Sequence, residues 1–119
     1  MNFLAIGAIS GCLVVILGAF GAHGLKDVFN EYEKSIYEKA VFYHMFHTMA
    51  ILLVGLIEKI QPGIQLSVAG WVFILGIILF SGSLYILSVT GIKLLGMITP
   101  IGGVLFIIGW VILLLKVRS

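Results

Sequence analysis

The segment Tyr37-Glu38-Lys39-Ala40-Val41-Phe42-Tyr43-His44-Met45-Phe46-His47 marks the point where a charged stretch of the chain meets an apolar one. The apolar run continues to Ile57 and stops at Glu58-Lys59. A run of this kind predicts a membrane-spanning helix, because about 20 apolar residues cross a hydrocarbon core. His44 and His47 fall in its first turns and, at a spacing of three, share one helix face.

The composition indicates that lipid is the solvent of this chain. Of its 119 residues, 61% are apolar and 10% are charged, whereas a soluble domain usually carries about 25% charged residues. A soluble domain of this size could not bury so many apolar groups, because small domains leave much of their surface in water. The net charge of +2 comes without a block of like charges, so we expect no nucleic-acid partner.

Four apolar runs define the predicted architecture, and they cover approximately residues 3–22, 40–57, 66–89 and 95–115. Backbone groups in lipid must be satisfied internally, so each run should be a helix. We therefore expect an all-α fold, with residues 1–119 forming one integral membrane bundle of four transmembrane helices. Both termini then share a side of the membrane. The distribution of basic residues does not decide which side is cytoplasmic, because the two sides carry nearly equal numbers. One side holds Lys26, Lys34, Lys39 and Lys93, and the other holds Lys59, Lys116 and Arg118.

The polar connection between the first two runs is predicted to be helical. Leu25, Phe29, Tyr32, Ile36 and Ala40 recur at three- or four-residue spacing with charged residues mostly between them. This pattern favours a short amphipathic helix that lies on the membrane interface and bends into the second span. The alternative is one long helix that begins near Glu31.

Small residues recur along the apolar runs at spacings that suit close helix packing. Gly7 and Gly11 form a GxxxG pair in the first run, and spacings of seven recur in the third and fourth runs. Such stripes let helix backbones approach each other, within one chain or between subunits. The predicted packing residues are Gly7, Gly11, Gly18, Ala22, Gly76, Gly102 and Gly109.

Alternating topology gathers the polar residues of the apolar runs at one end of the bundle. The second span contributes His44, His47 and Thr48 there, while Ser10 is expected near the opposite end. Ionisable groups at membrane depth are costly and are by default a functional-site hypothesis. The candidate ligand-binding residues are His23, His44, His47, Ser81, Ser83, Tyr85 and Thr99.

The histidines allow three interpretations. They can be structural groups that bond a serine or a carbonyl, they can carry protons or hold a ligand, or His44 and His47 can bind a metal such as zinc, copper or iron. No HExxH motif, nucleophile elbow or phosphate loop is present, so we expect no enzymatic activity, and no particular cofactor is indicated.

Several motifs together resemble one family. They are Leu17-Gly18-Ala19-Phe20-Gly21-Ala22-His23-Gly24-Leu25, Ala40–Thr48, Leu79-Phe80-Ser81-Gly82-Ser83-Leu84-Tyr85, and Ile98-Thr99-Pro100-Ile101-Gly102-Gly103 followed by Gly109-Trp110. In this order they resemble the small bacterial membrane proteins of the YwdK/YgdD type, domain-of-unknown-function family 423. The resemblance implies a four-helix protein of the bacterial cytoplasmic membrane with no established activity, and it favours cytoplasmic termini.

The resulting expectation is a non-enzymatic homo-oligomer in the bilayer that binds a small ligand, lipid or ion near His44 and His47. A first alternative is a small transporter or channel with a path between protomers. The interrupted stretch at Thr99-Pro100 would suit it, although a proline is also ordinary near the start of a helix. A second alternative is a metal-binding or redox membrane protein.

Overall fold

The computed structural model describes residues 2–118, and every regular element within them is helical, which confirms the all-α prediction. Four helical segments are long and apolar enough to cross a membrane, with hydropathies of 1.8 to 2.5. We number these candidate spans one to four in chain order, and they cover Phe3–Gly24, Glu31–Ile60, Ser67–Thr90 and Lys93–Val117.

The first span consists of helix α1, Phe3–Ala19, and a π-turn at Phe20–Gly24. The π-turn closes with a hydrogen bond from Leu25 N–H to the Phe20 carbonyl, at 3.1 Å. Tyr37 lies against this turn, because a Cβ atom on Gly21 would come 2.2 Å from its ring. The Tyr37 hydroxyl also donates to the Leu17 carbonyl. Only glycine at position 21 leaves room for this ring.

The second span is one uninterrupted helix, α2, from Glu31 to Ile60. A capping box starts it, since Glu33 N–H donates to the Asn30 side chain at 2.8 Å and Asn30 N–H donates to the Glu33 carboxylate at 3.0 Å. Neither glycine nor proline occurs between residues 31 and 54 to break the helix. The predicted separate interfacial helix with a bend is therefore wrong, and the single long helix is what forms.

The third span contains helix α3, Ser67–Gly76, a second π-turn, Ile77–Ser81, and helix α4, Gly82–Thr90. Gly91 ends α4 in the left-handed conformation, with a φ of 72° that favours glycine. A short 3-10 helix, Lys93–Met97, leads into helix α5, Thr99–Val117. Pro100 lies in the first turn of α5, where its missing N–H breaks no helical bond.

Packing between the spans follows chain order. Helix α1 packs on α2, α2 packs chiefly on the third span, and α3 packs on α5. Helix α1 makes no comparable contact with α5. The predicted four-helix bundle is therefore open between α1 and α5, and grooves remain on either side of the central pair of spans.

Glycines set how closely neighbouring spans approach. A Cβ atom at Gly102 would lie 2.4 Å from the Phe80 backbone nitrogen, and one at Gly109 would lie 2.6 Å from the Phe73 ring. On α1, a Cβ atom at Gly7 would meet Leu52 at 2.5 Å. Gly11 and Gly18 also turn towards α2, and Gly76 seats the Phe106 ring. Ala22 is exposed, so the predicted packing at that position is not found.

Candidate functional site

Four side chains from three spans form one hydrogen-bonded network around His44. The imidazole Nε2 lies 3.1 Å from Ser10 Oγ on α1, and Nδ1 lies 2.9 Å from the Tyr85 hydroxyl on α4. Ser10 Oγ lies 2.6 Å from Thr48 Oγ1, one turn beyond His44 on α2. His44 itself is 4% exposed. The imidazole therefore joins α1 and α4 through α2.

The donor and acceptor chemistry of the four groups, together with the burial of His44, gives a direction to each bond in this network. Thr48 donates its single hydroxyl proton to the His44 carbonyl, at 2.8 Å, so Thr48 Oγ1 must accept from Ser10. Ser10 has then used its own proton and accepts from His44 Nε2–H. A second proton on this buried imidazole would place a charge inside the bundle, so His44 Nδ1 stays unprotonated and accepts from the Tyr85 hydroxyl. His44 is therefore neutral and carries its proton on Nε2.

His47 is held by different partners and carries its proton on the other nitrogen. Trp110 Nε1–H can only donate, and it lies 3.1 Å from His47 Nε2. The Tyr43 carbonyl can only accept, and it lies 2.9 Å from His47 Nδ1. The imidazole also stacks on the Phe106 ring, with centroids 3.5 Å apart and planes 6° from parallel. His47 is thus a neutral Nδ1–H tautomer packed among aromatic rings.

The hydrogen bonds of His44 and His47 compete with the predicted metal binding at these two residues. All four ring nitrogens of His44 and His47 already have a hydrogen-bond partner. Residues 2–118 contain no group of three histidine, cysteine, aspartate or glutamate side chains close enough to hold an ion. A metal on either histidine would have to displace Ser10, Tyr85, Trp110 or the Tyr43 carbonyl.

Two grooves flank the central spans, and each receives one histidine. The first groove has a volume of about 500 Å³ and reaches from α1 to α4, with Ser10, His44, Ser83 and Tyr85 along its otherwise apolar wall. The second groove has a volume of about 680 Å³ and lies between α2 and α5, where it receives His47.

The remaining predicted site residues divide into three groups. Ser83 lies 2.6 Å from Thr99 and pairs the third span with the start of α5, beside the first groove. Ser81 is fully buried, and its hydroxyl has no hydrogen-bond partner among residues 2–118. His23 lies exposed in the first π-turn, whereas His44 and His47 are buried, so the three histidines do not form one cluster.

The position of the histidines along α2 differs from the prediction, and so does the contact that Ser10 makes. Because α2 begins at Glu31 rather than near Ala40, His44 and His47 lie midway along the helix and not in its first turns. Ser10, expected near the opposite end, lies within hydrogen-bond distance of His44, because α1 and α2 pack with Gly11 opposite Thr48. The sequence did carry a signal for this residue, since Ser10 is three residues from Gly7 and shares its α2-facing side.

The fold, with a groove on either side of its central spans, defines a small, all-helical membrane protein with four candidate spans. Residues 17–103 match the family model described as Protein of unknown function (DUF423). The chain belongs to this family, which confirms the resemblance seen in its motifs.

Curated relatives extend the similarity over nearly the whole chain. A UPF0382 membrane protein of Staphylococcus aureus (strain bovine RF122 / ET3-1) is 50% identical, with 95% of this chain and 92% of the relative covered. A UPF0382 membrane protein of Staphylococcus epidermidis is 49% identical over the same shares. The UPF0382 membrane protein YwdK of Bacillus subtilis is 47% identical, with 93% of this chain and 91% of YwdK covered. No solved structure matches the chain.

Proposed function

We propose that this chain is a non-enzymatic protein of the bacterial cytoplasmic membrane that holds a lipid-like amphipathic molecule in the first groove, beside His44. The main evidence for this proposal is the set of side chains that line the groove. Isoleucine and leucine side chains make up most of its wall, and its polar side chains come from Ser10, His44, Ser83 and Tyr85. Such a groove suits a ligand with a long apolar part and one polar group.

The hydrogen-bond directions indicate which polar group would fit. Tyr85 donates its proton to His44, so its oxygen offers lone pairs to the groove. Ser10 donates to Thr48 and likewise has only acceptor capacity left. The ligand should therefore bring a donor, such as a hydroxyl or an amine. A fixed imidazole orients both acceptors, which is the role that we assign to His44.

Oligomer formation and orientation belong to the same proposal. The sides of α1 turned away from α2 are apolar and exposed, with Val15 70% and Ile16 56% exposed. We expect bilayer lipid and further copies of this chain to cover them, with both termini in the cytoplasm and no nucleic-acid partner. The transporter alternative requires a polar route, whereas the wall of the first groove favours retention of an apolar molecule.

Photocrosslinking tests the proposal. A diacylglycerol with a photoreactive acyl chain supplies the apolar part and a hydroxyl donor. In nanodiscs, the wild-type chain should be labelled mainly on groove residues such as Leu79 and Ile86. Ile78→Trp fills the groove and should reduce that labelling several-fold, while Val15→Trp, a matched change on an exposed face outside it, should not.

Two results would contradict the proposal. Equal labelling of all exposed helix faces would mean that the groove is ordinary lipid-facing surface. Chemical conversion of the recovered diacylglycerol, absent from empty nanodiscs, would mean that the chain is an enzyme. Cysteine crosslinking at Val15 in a Cys12→Ser background measures oligomer formation separately.

A further inference from the structure

The second groove has an aromatic wall that the first groove lacks. Six of its eleven lining residues carry phenyl, phenol or indole rings, and His47 adds an imidazole. Those six residues are Phe42, Tyr43, Phe46, Phe80, Phe106 and Trp110. An acyl chain needs no such wall, because any aliphatic side chain would accommodate it equally well.

Several of these rings share one orientation. The Tyr43 ring is 8° from parallel with Phe106 and 9° from parallel with His47. The stack of His47 on Phe106 holds two of the three planes in place, and the Trp110 bond fixes the imidazole. Parallel planes of this kind favour a flat guest, because offset stacking gains energy beyond simple burial.

A free donor accompanies the rings. The Tyr43 hydroxyl has no hydrogen-bond partner among residues 2–118, although its backbone carbonyl accepts from His47. Tyr43 lines the groove, and 36% of the residue is exposed. The indole N–H of Trp110 already donates to His47 Nε2, so it is not available to a guest molecule. Tyr43 is therefore the group that can donate to a guest molecule.

We propose that the second groove binds a planar, conjugated ring that carries a carbonyl and an apolar tail, the chemical class of membrane-soluble quinones. The ring lies parallel to the planes of Tyr43, His47 and Phe106, and its carbonyl accepts from the Tyr43 hydroxyl. The tail runs along Val104 and Ile107, which are both exposed. This site is separate from the first groove and needs no ligand there.

Tryptophan fluorescence offers a direct test, because quinones quench indole emission and the chain has two tryptophans. Trp71→Phe leaves Trp110 as the single reporter inside the groove. A short-chain naphthoquinone should quench it saturably in nanodiscs. Tyr43→Phe should weaken the apparent affinity about fivefold, as expected for one lost hydrogen bond.

A pair of glycine variants separates binding from partitioning into lipid. Gly103→Leu places a side chain in the groove, and its Cβ would sit 3.7 Å from Phe80, an ordinary contact. This variant should abolish saturable quenching. Gly96→Leu is the matched control, since nothing lies within 4 Å of a Cβ there and the residue is outside the second groove. It should behave like the parent chain.

Three results would overturn the proposal. Linear, non-saturating quenching that is the same in all variants would mean partitioning alone. Unchanged affinity in Tyr43→Phe would remove Tyr43 as the donor. Efficient disulfide formation between copies through Val104→Cys, in a Cys12→Ser background, with loss of quenching, would mean that a second copy covers the groove.

Discussion

Trp110 Nε1 on α5 lies 3.1 Å from His47 Nε2 on α2, and this is a direct side-chain bond between the second and fourth spans. The backbones of both helices pack on the third span, and their side chains also meet directly where His47 stacks on Phe106. The bond thus closes one side of the open bundle. It also holds the imidazole flat against Phe106.

Trp110→Phe removes this bond and leaves His47 Nε2 buried without a donor. We expect the free energy of unfolding to fall by about 1–3 kcal/mol, measured by denaturation in detergent. Trp71→Phe is the control, because Trp71 is 43% exposed. In a His47→Phe background, Trp110→Phe should lower the free energy of unfolding much less than it does in the parent chain. Equal decreases in the two backgrounds would show that the Trp110–His47 bond contributes nothing.

The two histidines should be opposite neutral tautomers. Bond directions place the proton of His44 on Nε2 and that of His47 on Nδ1. Ring ¹⁵N chemical shifts of the labelled chain near neutral pH distinguish the two forms directly. Tyr85→Phe should perturb only the His44 signals, and Trp110→Phe only those of His47. The same tautomer at both positions would contradict the network as assigned.

Adjacent glycines in α5 should respond in opposite ways to alanine. At Gly102 an added Cβ would come 2.4 Å from the Phe80 backbone, so Gly102→Ala must push the third and fourth spans apart. The midpoint of unfolding in detergent should be clearly lower for Gly102→Ala than for the parent chain. At Gly103 the nearest atom is 3.7 Å away, and alanine gains up to about 1 kcal/mol of helix propensity. Similar effects at both positions would argue against this close contact.

Ser81→Ala should leave stability unchanged or raise it. The Ser81 hydroxyl is fully buried and has no hydrogen-bond partner within residues 2–118, so its removal relieves a desolvation penalty of about 1–3 kcal/mol. Thr48→Val is the comparison, because that near-isosteric change takes away the acceptor of Ser10 and should destabilise the chain. A clear loss of stability in Ser81→Ala would mean that the hydroxyl has a partner when the chain is in the bilayer.

The sequence was sufficient to predict the helical class and the number of candidate spans, because apolar run length dominates in lipid. It did not predict where α2 begins. Amphipathic periodicity from Leu25 to Ala40 fits an interfacial helix and a helix extension equally well, and the capping box at Asn30 decides between them. That starting point places His44 midway along α2.

The network around His44 was partly predictable. Tyr85 and Thr48 were expected at the same end as His44, but the bond to Ser10 was not, because it depends on the register in which α1 packs on α2. Trp110 and Phe106 were not candidates, since aromatic residues in an apolar helix usually signal packing. Only the distance between two separate spans reveals their contact with His47.

The second π-turn makes the length of the third span as important as its composition. It inserts one residue into the helical ladder, so the helix after Ser81 is rotated by about 100° from a continuous α-helix. Helix α3 can therefore face α5 while α4 faces α2. Deleting any single residue from Ile77–Ser81 would turn Tyr85 away from His44 without altering one side chain of the network. Gain or loss of one residue there would therefore change which face of α4 packs on α2, even if every other residue stayed the same.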